Sequence, residues 1–269
     1  MSSKRPKVMG VVNVTPDSFS DGGRFLDEAA AVSHARRLIA EGADLLDLGG
    51  ESTRPGSDPV SEADEIARVV PVIAAVRRDS AIPISVDTMK PAVARAAVAA
   101  GADIWNDVTA LRGAPDALAT AAELGRGVVL MHMQGEPRTM QDDPRYGDVV
   151  AEVADFLAER AGAAMAAGVA RDRITLDPGI GFGKTLAHNL ALLAGLDRIV
   201  ALGFPVLLGV SRKRFVRELD PTAVEAGDRL GGSLAAALAG ARAGVAMVRV
   251  HDVRETVQAL TVWSAIDRS

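Results

Sequence analysis

Short apolar runs recur along the whole chain, and nearly every one ends in a polar residue. VMGVVN stops at Asn13, DLLDLGGEST carries Asp47 and Glu51, IPISVD stops at Asp87, and DIWND holds Asn106 and Asp107. VVLMH stops at His132, RITLD stops at Asp177, VLLGVSRK runs into Ser211 and Lys213, and MVRVH delivers Arg249 and His251. Between them lie Ala-rich stretches with helical spacing, at 28–41, 62–78, 91–100, 149–167 and 234–243. This alternation implies right-handed crossovers and a parallel sheet, and runs without inside/outside alternation imply strands covered on both faces. About eight such units in one chain predict an α/β fold, a single-domain (β/α)8 TIM barrel over 1–269, for which roughly 250 residues is usual. A doubly wound open sheet competes, but no unit breaks the rhythm and no linker splits the chain. In either fold, polar groups at the carboxyl ends of parallel strands build a site.

Composition narrows the function classes. With 269 residues, 48% hydrophobic and 24% charged, the chain can bury a large core. The absence of cysteine excludes disulfides, thiolate metal sites and a cysteine nucleophile. No His pair stands at ligand spacing, so a structural zinc has no support. The basic start, Met1 to Lys7, leads directly into a strand, with no signal-peptide core, and no apolar span is long enough for a membrane. A cytoplasmic protein is expected. A net charge of -5 without a basic stripe, and 3% aromatics, argue against nucleic acid.

Three loops exceed the usual length in α/β units, at 15–25, 49–61 and 133–147, and such loops tend to be functional. Phe19, in the first, is either a lid residue that packs on a ligand or part of an ordinary turn. Asp87 precedes Thr-Met-Lys-Pro and is equally suited to capping the next helix. His34 and His188 read as surface residues of helices, and His132, at a strand end, is ambiguous. The segment from Pro178 to Thr185 imitates a phosphate loop, yet Pro178 stands where glycine is required and Lys184 where a third glycine would close a dinucleotide motif. It reads as a tight glycine turn with Lys184 solvated.

NVTPDSFSDGG (13–23), GGESTRPG (49–56), SVDT (85–88), ND (106–107), LMHMQGEPRTMQ (130–141), LDPGIGFGK (176–184), GVSRKRF (209–215) and RVHDV (249–253) follow almost every strand. Together they resemble the dihydropteroate synthase family over essentially the whole chain. The resemblance implies a barrel that joins 6-hydroxymethyl-7,8-dihydropterin pyrophosphate to 4-aminobenzoate in folate biosynthesis, the reaction that sulfonamides target. It implies Asp87, Asn106, Asp177 and Lys213 around the pterin, Asn13, Thr53, Arg249 and His251 at the pyrophosphate, and Asn13 on Mg2+. It places Phe19, Arg54, Pro55, Phe182, Ser211 and Arg214 at 4-aminobenzoate and the lid loops, and lets Asp21 assist Asp87, Asp177 and Lys213 in catalysis.

The residue types suit these roles. A carboxylate such as Asp177 accepts the paired hydrogens of a 2-amino-pyrimidinone edge in a bidentate way. Arg249 and His251, two apart on one strand, point to one side and can hold a phosphate, or else are solvated at the rim. A helix beginning at Ser211 would offer free amides to a carboxylate. Arg214 replaces a small hydroxyl residue common in relatives. Few residues precede the first strand, where relatives often carry a hairpin, so a more open amino end is expected. Partners are small molecules, with a homodimer expected from the family and the small residues of 233–244 as one possible contact. Rival activities are methyl transfer from a folate to a corrinoid protein and silent pterin binding.

Overall fold

The computed structural model describes residues 5–14, 24–52, 58–136 and 138–267, with the side chains of 24–27 left aside. The first half of the chain runs β1 (Lys7–Asn13), α1 (Arg24–Ala40), β2 (Leu45–Gly49), α2 (Glu62–Asp79), β3 (Ile84–Asp87), α3 (Pro91–Ala99), β4 (Ile104–Asp107) and α4 (Ala117–Leu124). The second half runs β5 (Gly127–Met131), α5 (Val149–Ala166), β6 (Ile174–Asp177), α6 (Leu186–Ala194), α7 (Leu196–Val200), β7 (Leu207–Gly209), α8 (Arg214–Leu219), α9 (Leu230–Ala243), β8 (Met247–Val250) and α10 (Val253–Ile266). The strands are parallel in the order β6-β5-β4-β3-β2-β1-β8-β7. A parallel bridge between Leu176 and Val206, with Leu176 N donating to Pro205 O at 2.9 Å, joins β6 to the approach of β7 and closes the barrel.

Local chemistry sets the helix starts. Ser61 accepts from Asp64 N at 3.1 Å, and Glu62, Asp64 and Glu65 crowd the first turn of α2, where the helix dipole favours acid. Asp148 accepts from Val150 N and Ala151 N at the head of α5. The α3 helix begins with Pro91 at its first turn and Lys90 as its cap, without a side-chain bond. Asp87 therefore does not cap it.

The strands alternate after all, because a closed barrel has two buried faces. Val8, Val12, Leu46, Leu48, Ile84, Val86, Leu130, Leu176, Leu208, Val248 and Val250 point outward into one core shared with the helices. The intervening positions point inward. At the amino end Met9, Leu45, Val129 and Leu207 form a separate buried cluster with Ile104 and Met247 against it. The amino end is thus filled by side chains, contrary to the expectation of an open one. The small residues of α9 are used within the chain: Ser233, Ala236, Ala237, Gly240 and Ala241 are buried, and a Cβ on Gly240 would stand 2.4 Å from Leu208 Cδ2. Among the described residues no helix is long and apolar enough to cross a membrane.

Candidate active site

The inward positions change from apolar to charged toward the carboxyl end. Asp47 of β2, Asp87 of β3, Asn106 of β4, Asp177 of β6 and Arg249 of β8 converge there, all four acids and amides buried. Arg249 Nε donates to Asp47 Oδ2 at 2.5 Å and Nη2 to Asp87 Oδ2 at 2.8 Å, while Asn106 Nδ2 donates to Asp47 Oδ2 at 3.2 Å. One guanidinium thus serves two carboxylates. Burial, and then the neighbouring charge of Asp47, raise the Asp87 carboxyl pKa, against the pull of Arg249. Burial works against the Arg249 charge as well, but Asp47 and Asp87 outweigh it and hold the guanidinium protonated. Asp87 Oδ1 is buried and, among the described residues, has no hydrogen-bond partner.

Glycines keep space beside these acids. A Cβ on Gly49 would lie 3.6 Å from Asp87 Cβ, and one on Gly209 would lie 3.9 Å from Asp177 Oδ2. Both glycines occupy inward positions at strand ends, so a flat group can approach the carboxylates. Asp177 Oδ1 accepts from Gly179 N at 2.7 Å, and its pKa is raised by burial, which this bond and Lys213 partly offset. Lys213 Nζ donates to Ile180 O at 2.8 Å and lies 4.3 Å from the centre of the Phe182 ring. Burial brings its pKa down to about 8, against the attraction of Asp177. The turn bearing Phe182 needs its glycines: Gly179 has φ +67, and a Cβ there would stand 1.9 Å from His132 O.

Several expectations change. The helix after β7 begins at Arg214, not Ser211, because Arg212 takes a φ of 59° that breaks helical continuation. Ser211 Oγ instead accepts from His251 N at 3.1 Å and lies 3.0 Å from His251 Nδ1. Arg249 and His251 are therefore engaged separately, one with carboxylates and one with Ser211. Arg214 is exposed, 3.5 Å from Glu218 on its own helix. Lys184 is not solvated: it is 3% exposed, and its Nζ reaches His132 Nδ1 at 2.9 Å and Phe182 O at 2.9 Å. Burial brings its pKa down to about 7. His188 forms a capping box with Thr185, and His34 lies 3.2 Å from Val11 O, so both serve the scaffold. Asp107 faces outward and accepts from Thr109 N and Leu111 N in its own turn. Phe19, Asp21, Thr53, Arg54 and Pro55 lie outside the described residues.

Asp47 was missed as a site residue, although a lone acid in LLDLG, two residues before Gly49, carries the period of an inward face. No sequence signal marks Lys184 as buried. Asn13 ends β1, half-buried. Among the described residues no three His, Cys, Asp or Glu side chains are arranged to hold a metal ion.

The family model described as pterin binding enzyme matches residues 9–251. A dihydropteroate synthase of Neisseria meningitidis serogroup B is 52% identical over 269 residues, covering 97% of this chain and 93% of its own. The solved dihydropteroate synthase of Xanthomonas albilineans with 4-aminobenzoic acid superposes with a TM-score of 0.93 at 54% identity, covering 100% of this chain and 96% of that one. The same organism's enzyme in complex with 7,8-dihydropteroate gives 0.89 at 51%, with the same coverage.

Proposed function

The chain belongs to the pterin-binding enzyme family and, within it, to the dihydropteroate synthases, and we propose how its own residues divide the work. It transfers a pterinylmethyl group from 6-hydroxymethyl-7,8-dihydropterin pyrophosphate to 4-aminobenzoate, giving 7,8-dihydropteroate and pyrophosphate for folate biosynthesis. The observation that carries the assignment is a pair of buried carboxylates, Asp87 and Asp177, beside glycine-lined gaps, with Asp87 Oδ1 lacking a partner among the described residues. A buried acceptor without a donor is costly, and a ring N–H would complete it.

Asp177 takes the 2-amino-pyrimidinone edge, Asp87 and Asn106 meet the other ring nitrogens, and Lys213 donates to the carbonyl side. Phe182 and Ser211, with Phe19, Arg54 and Pro55 from the lid loops, flank 4-aminobenzoate, and exposed Arg214 contributes only rim charge. Asn13, Thr53, Arg249 and His251 receive the pyrophosphate. The bond from the exocyclic carbon to the pyrophosphate oxygen breaks first, leaving a cationic methylene on the ring. Asp87 and Asp177 stabilise that delocalised charge in a buried site, with Asp21 assisting. The aryl amine, neutral near pH 7, then adds to the carbon and loses a proton, so no side-chain base is needed.

The donor set fits a Mg2+ that arrives on the pyrophosphate rather than one resident in the protein, since Asn13 offers one amide oxygen and, among the described residues, no acidic cluster is arranged to hold a metal ion. When bound, Mg2+ neutralises the leaving group. A homodimer in the cytoplasm completes the proposal; light scattering that gives a single chain mass at micromolar concentration overturns the dimer. Pyrophosphate release and dihydropteroate formation, measured with each substrate omitted in turn, test the activity. Product requires both substrates; tight pterin binding without product would instead mark a silent homologue.

A further inference from the structure

In the turn that carries Phe182, every carbonyl from Gly179 to Gly183 has a donor. Its consecutive carbonyls, Gly179 to Gly183, accept in order from Phe182 N at 3.1 Å, Lys213 Nζ at 2.8 Å, Gln141 Nε2 at 2.7 Å, Lys184 Nζ at 2.9 Å and the Tyr146 hydroxyl at 2.8 Å. Two of these donors, Gln141 and Tyr146, come from the long loop after β5. The restraint has a physical reason. Phe182 sits between Gly181 at φ +84 and Gly183 at φ +60, and glycine on both sides makes the intervening peptide easy to rotate.

Lys184 differs from the other side-chain donors in being buried, where Gln141, Tyr146 and Lys213 are partly exposed. An ammonium has three N–H donors, and here three acceptors meet them: Phe182 O, His132 Nδ1 at 2.9 Å and His132 O at 3.3 Å. His132 is itself fixed edge-on to Phe156 at 4.8 Å between ring centres and carries its ring nitrogen as an acceptor, burial and then Lys184 having brought its pKa down to about 3. The lysine therefore ties the Phe182 carbonyl to the end of β5. On the other side the Phe182 ring closes a cluster of Met131, Met133 and Met140.

We propose that Lys184 is a positioning residue for the aromatic-amine subsite, pinning the peptide of Phe182 from below so that the ring stands where 4-aminobenzoate lands. This rests on the assignment of Phe182 to that subsite. Steady-state kinetics of Lys184→Met should show the KM for 4-aminobenzoate rising about tenfold, with calorimetric affinity for the pterin pyrophosphate changed less than about twofold. Equal weakening of both substrates, or an unmoved KM for 4-aminobenzoate, overturns the proposal. Phe182→Ala separates the two ideas. If it leaves the 4-aminobenzoate KM unchanged, the Phe182 assignment fails and the Lys184 role with it; if it raises that KM while Lys184→Met does not, only the Lys184 role fails. Should Lys184→Met not fold, His132→Phe keeps the ring packing and removes the nitrogen acceptor. A rise of about threefold confined to 4-aminobenzoate is then expected, and no rise overturns the proposal.

Discussion

At the amino end of the barrel, Met9, Leu45, Val129 and Leu207 meet inside with no polar atom among their side chains. Two residues further along β2 and β8, on the same inward face, stand Asp47 and Arg249, paired at 2.5 Å. At about 3.3 Å per residue this is a step of roughly 7 Å. The same strands thus change from core to charged site within one side-chain repeat, and the inward face of a strand serves stability at one end and chemistry at the other. Perturbing the two ends should separate those properties.

The largest effect is expected at the charged end. Arg249→Met leaves two carboxylates facing each other and should cost about 3–5 kcal/mol of stability at pH 8. Burial already raises the Asp87 carboxyl above its unfolded value, so the folded state holds that proton more tightly and the loss should shrink as pH falls. Denaturant titrations at pH 5 and pH 8 with equal losses would break the shared-cation picture. Asp177→Asn should retain the fold and lower kcat/KM at least about a hundredfold, or roughly 2.7 kcal/mol of transition-state binding; near-normal turnover would sink its role at the ring.

Leu207→Ala, at the other end, should lower stability by about 2–3 kcal/mol while leaving kcat/KM within about twofold. A comparable loss of turnover would mean that the two ends are not separable. The smallest effect is a slope. The Lys184 pKa falls from 10.5 unfolded to about 7 folded. Between those values the unfolded chain binds more protons, so stability rises with pH by up to about 1.4 kcal/mol per pH unit from this group. Lys184→Met should lose that increment, and parallel slopes for the two proteins would mean that burial does not lower the Lys184 pKa.

The strand-helix rhythm, the five helical stretches and the gathering of polar groups at the strand ends were legible in the sequence because periodicity and strand-end position depend on local spacing, while the grouping of Asp87, Asn106, Asp177 and Lys213 came from the family resemblance. The α8 start was not, since Arg212 at positive φ is a local conformation that SRKRF does not announce. Asp47 escaped because an acid inside an apolar run gains meaning only when a cation from β8 is brought against it across the barrel. Lys184 escaped for the same reason. Its acceptors on His132 lie 52 positions away.

By itself the sequence determined the fold class and the end of the barrel that carries function, because hydrophobic patterning and Gly and Pro placement act between near neighbours. The tertiary structure alone decided which charges share partners: Arg249 between Asp47 and Asp87, His251 with Ser211, Lys184 with His132. Those pairings depend on barrel closure, which excludes water and brings residues from opposite ends of the chain within hydrogen-bond distance, where a few ångströms decide whether a charge is solvated, paired or left to meet a substrate.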